Sequence, residues 1–111
     1  MSFREDLVKI VGAGKENPEL RDSMQKLNKS FVFRVGSEQP FTLVLNTEKL
    51  DVIDGELPGS SATISASDDV LSAIFSGSLD PIKAFMSGQM KVTGDVFSAQ
   101  KLTEIAKKAR K

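Results

Sequence analysis

Apolar positions recur at intervals of three and four from the start of the chain. Phe3, Leu7, Ile10 and Val11 mark one face of a short helix. Ser2 is placed to cap it with Glu5 as capping-box partner, and Gly12-Ala13-Gly14 is expected to stop it. A second helix starts at Pro18 behind Asn17 and runs towards Leu27, with Leu20, Met24 and Leu27 inward. The period then changes to two. Phe31 and Phe33 face one way and Val32 and Arg34 the other, up to a turn at Gly36-Ser37. Phe41 to Leu45 reads as a second strand, with Pro40 tolerated at its beginning. Leu50 to Ile53 reads as a third, and Ala62 to Ala66 as a fourth beyond the turn Leu57-Pro58-Gly59-Ser60. Such closely spaced strands are expected to pair as an antiparallel meander.

The last third is helical with one interruption. Ser67-Asp68-Asp69 caps a helix carrying Val70, Leu71, Ile74 and Phe75, which ends at Gly77. Asp80-Pro81 caps another with Ile82, Ala84, Phe85 and Met86, ending at Gly88. Met90 to Gly94 forms a short fifth strand, and Asp95 opens a final helix. Its Val96, Phe97, Leu102, Ile105 and Ala106 are spaced for one apolar face. The resulting plan is α+β: a five-stranded, mostly antiparallel sheet with helices packed on one face, all within one domain over residues 1–111.

Composition narrows the chemistry. The chain of 111 residues has no Cys, His, Trp or Tyr, and its aromatics are seven Phe. Without Cys and His it lacks a thiolate nucleophile, an imidazole base and the commonest soft metal ligands. No catalytic residue, metal site or cofactor is therefore expected. Asp68-Asp69, or Asp51 with Asp54, offers carboxylates for acid–base work, but a cap and a turn explain them better. Gly12-Ala13-Gly14-Lys15 lacks both the preceding strand and the spacing of a phosphate-binding loop. Fifteen basic residues balance fifteen acidic ones, so the surplus that a nucleic-acid binder needs is absent. No segment has the apolar length of a membrane span, and the N-terminus lacks a signal-peptide core. The expected location is cytoplasmic. The ending Ala109-Arg110-Lys111 does not match a peroxisomal address of the Ser-Lys-Leu type.

One stretch carries a resemblance. Ser87-Gly88-Gln89-Met90-Lys91-Val92-Thr93-Gly94-Asp95, leading into an amphipathic helix, resembles the sterol carrier protein 2 family. Ser67-Asp68-Asp69-Val70, Phe75 to Pro81 and the strand Phe31-Val32-Phe33-Arg34-Val35 are similar to it as well. The resemblance implies a sheet covered by helices around an apolar tunnel. It also implies a non-enzymatic carrier that moves fatty acids, acyl-CoA, sterols or phospholipids. The tryptophan that many members have in the second strand is absent; Phe41 to Leu45 occupies that stretch.

On that basis the expected ligand-binding residues are Leu27, Phe33, Leu71, Ile74, Phe75, Ile82, Phe85, Met86, Met90, Val96, Phe97, Leu102 and Ile105. Phe and Met offer broad, polarizable surfaces without hydrogen-bonding groups. The small residues Ala84, Ser87, Ser98 and Ala99 leave space, for a ligand or for close helix packing. The pattern by itself allows either a cavity or a closed core. Arg21, Lys26 and Arg34 are the candidates for a ligand headgroup. From Lys101 onward Lys101, Lys107, Lys108, Arg110 and Lys111 face only Glu104. Those cations suit a helix C-terminus, or a basic foot for transient contact with anionic membranes. The expected assembly is a monomer or weak dimer. The alternative function is an interaction module whose apolar groove binds a partner helix.

Overall fold

In the computed structural model, which describes residues 2–109, the chain forms α1 (Phe3–Glu16), α2 (Pro18–Leu27), β1 (Lys29–Val35), β2 (Phe41–Leu45), β3 (Leu50–Asp54), β4 (Ala62–Ala66), α3 (Asp68–Ser76), α4 (Pro81–Met86), β5 (Met90–Gly94) and α5 (Val96–Ala109). Each helix begins on a residue that can satisfy its free N–H groups. Ser2 and Glu5 close a capping box, Asn17 accepts from Glu19 and Leu20, Ser67 from Val70 and Asp80 from Ile82. Asp68 has a different task from the expected cap. Its carboxylate accepts the Phe3 N–H at 2.8 Å and ties α3 to the start of α1.

α1 does not stop at Gly12-Ala13-Gly14 but continues to Glu16. Gly14 is buried there, and a Cβ would collide with the Met24 side chain. The missing side chain lets α1 and α2 approach closely; it does not break the helix.

The sheet order is β3-β2-β1-β4-β5. β1–β2, β2–β3 and β4–β5 are antiparallel, whereas β1 and β4 run parallel, with Phe33 opposite Ile64. The expected meander therefore ends at β3. Alternation tells which face a side chain takes but not which strand lies beside it. The link from β3 to β4 crosses the outer sheet face. Thr42 Oγ1 donates to the Gly55 carbonyl at 2.7 Å and accepts the Leu57 N–H at 3.0 Å, while Arg34 holds Glu56 through two hydrogen bonds. This cover accounts for the burial of every β2 residue on both faces.

The inner face carries the core. Phe31, Phe33, Val35, Phe41, Leu43, Leu45 and Ile64 join the buried helix residues in one cluster, which excludes outer-face Val32 and Val44. At its centre Phe3 lies 5.2 Å from Phe33 and 4.9 Å from Phe75, and Phe33 stacks on Phe41 at 5.5 Å. Ring pairs at these separations add directional packing to area burial. All helix packing is thus on one face, as the pattern predicts.

Candidate functional site

The β5 edge is covered less completely. α4 rests on β5, and α5 crosses β4 and β5. α4 is short because Asp80-Pro81 starts it and Gly88, at φ +82°, follows its end. Ala84 is its one buried residue. Between α4 and α5 lies a cleft of about 210 Å³. Ile64, Met90 and Val92 form its floor, Ile64 and Val92 being direct partners across β4 and β5. Pro81, Ile82 and Phe85 make the α4 wall. Val96, Ala99, Gln100 and Thr103 make the α5 wall, on one face by their spacing of three, four and seven. Phe75 closes the inner end and joins the cleft to the phenylalanine cluster. Gln100 and Thr103 are the polar side chains of the lining.

A second groove of about 350 Å³ shares Pro81, Ile82, Gln100 and Thr103 and continues past Ile74 and Leu79 to Lys107. The apolar cleft alone is smaller than the usual ligand site of ~300–1,000 Å³; with this continuation it falls within that range.

The α5 wall is held at its first turn. Asp95 accepts the Ser98 N–H at 3.0 Å and the Ser98 hydroxyl at 2.6 Å. These bonds hold its carboxyl below the usual carboxylate range, with Lys29, at 3.8 Å, adding a smaller effect of the same sign. The Asp95 N–H donates to the Ser61 carbonyl at 2.9 Å, pinning the start of α5 to the approach to β4.

Of the expected ligand residues, Phe75, Ile82, Phe85, Met90 and Val96 line the cleft, and Ile74 lines the adjoining groove. Phe33, Leu71, Leu102 and Ile105 are buried in the core cluster and do not line either space; Leu27 packs half-buried against that cluster. Met86 and Phe97 turn outward, 81% and 80% exposed. The apolar face of α5 therefore differs from the expected one. Ser98, Ala99, Leu102, Ile105 and Ala106 form its buried side. Sequence reasoning missed Ile64, Pro81, Val92, Gln100 and Thr103 as lining residues. Inner-face alternation could have found Ile64 and Val92, and helical spacing from Val96 could have found Gln100 and Thr103.

The headgroup candidates lie elsewhere. Arg21 donates to the Lys15 carbonyl, Lys26 pairs with Asp22 one turn away, and Arg34 is held by Glu56 on the outer sheet face. Among the described residues the cleft is not a closed tunnel but opens to solvent at Ile82, Phe85 and Val96. Of the expected basic foot, Lys107 lines the second groove, whereas Arg110 and Lys111 lie outside the described residues. Asp54 is paired with Arg4 at 2.5 Å. Among the described residues no group of Asp and Glu could hold a metal ion, and no helix is long and apolar enough to cross a membrane.

The model of the SCP-2 sterol transfer family matches residues 9–107. The chain belongs to this family. It is 33% identical to mouse peroxisomal multifunctional enzyme type 2 over 92 residues, covering 78% of this chain and 12% of that enzyme. It is 32% identical over 93 residues to sterol carrier protein 2 of Arabidopsis thaliana, covering 82% of this chain and 74% of the plant protein. The apo structure of sterol carrier protein 2 from Yarrowia lipolytica superposes with a TM-score of 0.72 at 26% identity, covering 90% and 86% of the two chains. The SCP-2 fold thus accounts for the mixed sheet order and the one-sided helix layer.

Proposed function

We propose that this SCP-2 domain is a non-enzymatic lipid carrier. Its ligand, a fatty acid, acyl-CoA or sterol, lies on the β4–β5 floor between α4 and α5. The observation that carries this reading is the cleft, whose floor and α4 wall are wholly apolar and whose polar lining is confined to Gln100 and Thr103 on α5. A tail needs only desolvation. Burying about sixteen carbons at ~0.8 kcal/mol per methylene yields on the order of 12 kcal/mol gross. Association and chain ordering cost an estimated ~4–15 kcal/mol, so full burial sustains useful affinity without any strong polar contact.

Gln100 and Thr103 stand where cleft and groove meet, and they are the groups placed to meet a ligand's polar end. Lys107 further along the groove adds a cation for a carboxylate or phosphate. α5 acts as the gate, being the wall that carries the polar side chains of the lining. Family membership favours a lipid over a partner helix as the occupant. Titration with a fatty acid labelled on its tail tests the reading. Stoichiometric binding is expected, weakened at least tenfold by Gln100→Phe, which fills the cleft from an exposed position. Unchanged affinity in that variant would move the ligand elsewhere.

A further inference from the structure

The most exposed large apolar side chains do not line the cleft. Met86 ends α4 directly after Phe85, and Phe97 follows Val96 in the first turn of α5. Phe85 and Val96 belong to the two opposite walls of the cleft, and Met86 and Phe97 are their next neighbours along the chain, both turned to solvent. Ile82, on the mouth itself, is half exposed. With Ile82, Phe85 and Val96, Met86 and Phe97 place on these two short segments five of the seven exposed large apolar side chains among the described residues, a concentration that isolated surface apolar residues do not show.

Charge identifies the partner. Residues 81–111 contain seven of the fifteen Lys and Arg but only Asp95 and Glu104 of the fifteen acidic residues. The neutral chain is therefore divided, with its negative surplus before Pro81. Lys83 shares the exposed side of α4 with Met86, three residues on, and Lys101 follows Phe97 by one helical turn. Lys83 and Lys101 form no ion pair among the described residues. Asp95 is occupied by Ser98 and Lys29. An apolar rim bordered by unpaired ammonium groups complements a surface that is apolar within and anionic outside, which is a bilayer containing acidic lipid.

We infer that the mouth formed by the α4 end and the first turn of α5 docks on anionic bilayers, with Met86 and Phe97 inserted between headgroups and Lys83 and Lys101 against them. The inference rests on the carrier reading, because docking there aligns the open cleft with the acyl layer. A lipid can then pass between membrane and protein without crossing water.

The absence of tryptophan supplies the test. Phe97→Trp and Val8→Trp each introduce one fluorophore, the second at an exposed α1 position away from the mouth. Vesicles of phosphatidylcholine with phosphatidylserine should shift Phe97→Trp emission to the blue and leave Val8→Trp unchanged, with the shift lost at high salt. Flotation with the same vesicles should weaken at least tenfold in Met86→Glu/Phe97→Glu and severalfold in Lys83→Glu/Lys101→Glu. Tail-labelled fatty acid in vesicle-free solution should bind the Met86→Glu/Phe97→Glu variant as it binds the unaltered protein. Loss of that binding in the unaltered protein would sink the carrier reading instead. Equal shifts at both tryptophans, or undiminished flotation of the variants, would overturn the docking surface. So would a sedimentation profile in which Met86→Glu/Phe97→Glu dissolves a dimer while vesicles bind neither form.

Discussion

At Gly94 the chain leaves β5 for α5 with φ at +93°, and a Cβ there would lie 2.5 Å from the Ser61 carbonyl oxygen. Both the backbone conformation and the contact exclude a side chain. Gly94→Ala is expected to cost at least ~1–2 kcal/mol from the left-handed conformation alone, read as a lower denaturation midpoint. The phenylalanines divide by role in the same local terms. Phe33 sits within the ring cluster, whereas Phe97 meets water. Phe33→Ala should destabilise by about 3–5 kcal/mol in urea titration, and Phe97→Ala by less than about 0.5. Sequence spacing could not separate these two Phe. Each was apolar and in phase with its neighbours, but burial depends on which element lies opposite. The same limit explains Arg34, which the sequence offers to a ligand and the fold gives to Glu56 on the other sheet face.

Element by element, the helix starts were legible because capping is local chemistry: Ser2, Asn17, Ser67 and Asp80 are all found in that role. The β4 partner and the rotation of α5 were not legible, since both are set by contacts distant in sequence. The cap of α5 also carries a pH dependence. Ser98 stabilises the charged Asp95 carboxylate in the folded chain, so its folded value lies below its unfolded one. The unfolded state then binds the proton more readily, and stability is fully present above the ordinary carboxylate range. It is lost as pH falls through the lowered value. Glu56 beside Arg34 and Glu5 at the Ser2 capping box act in the same direction. Thermal melts should therefore show a falling Tm on acidification below the ordinary carboxylate range. Asp95→Ala should lower Tm at neutral pH and flatten that fall. A second expectation concerns the gate. Amides of residues 95–106 should exchange faster in the empty protein and gain protection on adding fatty acid, as measured by hydrogen exchange.

Over the whole molecule, the closed aromatic core and the open apolar cleft are placed at different ends of one sheet. The β1–β2 region is covered on both faces and centred on stacked rings, while β4–β5 carries an open apolar cleft under a short helix and a capped one. This division fits the carrier reading proposed above, in which an apolar surface binds the ligand and no His, Cys or Tyr is called on. The most direct test is a set of intermolecular nuclear Overhauser contacts between palmitate and the isotope-labelled protein. Contacts from the acyl chain to the methyl groups of Ile64, Ile82, Val92 and Val96 are predicted. An acyl chain that contacts Val8 and the α1 surface while leaving those four methyl groups untouched would contradict the account.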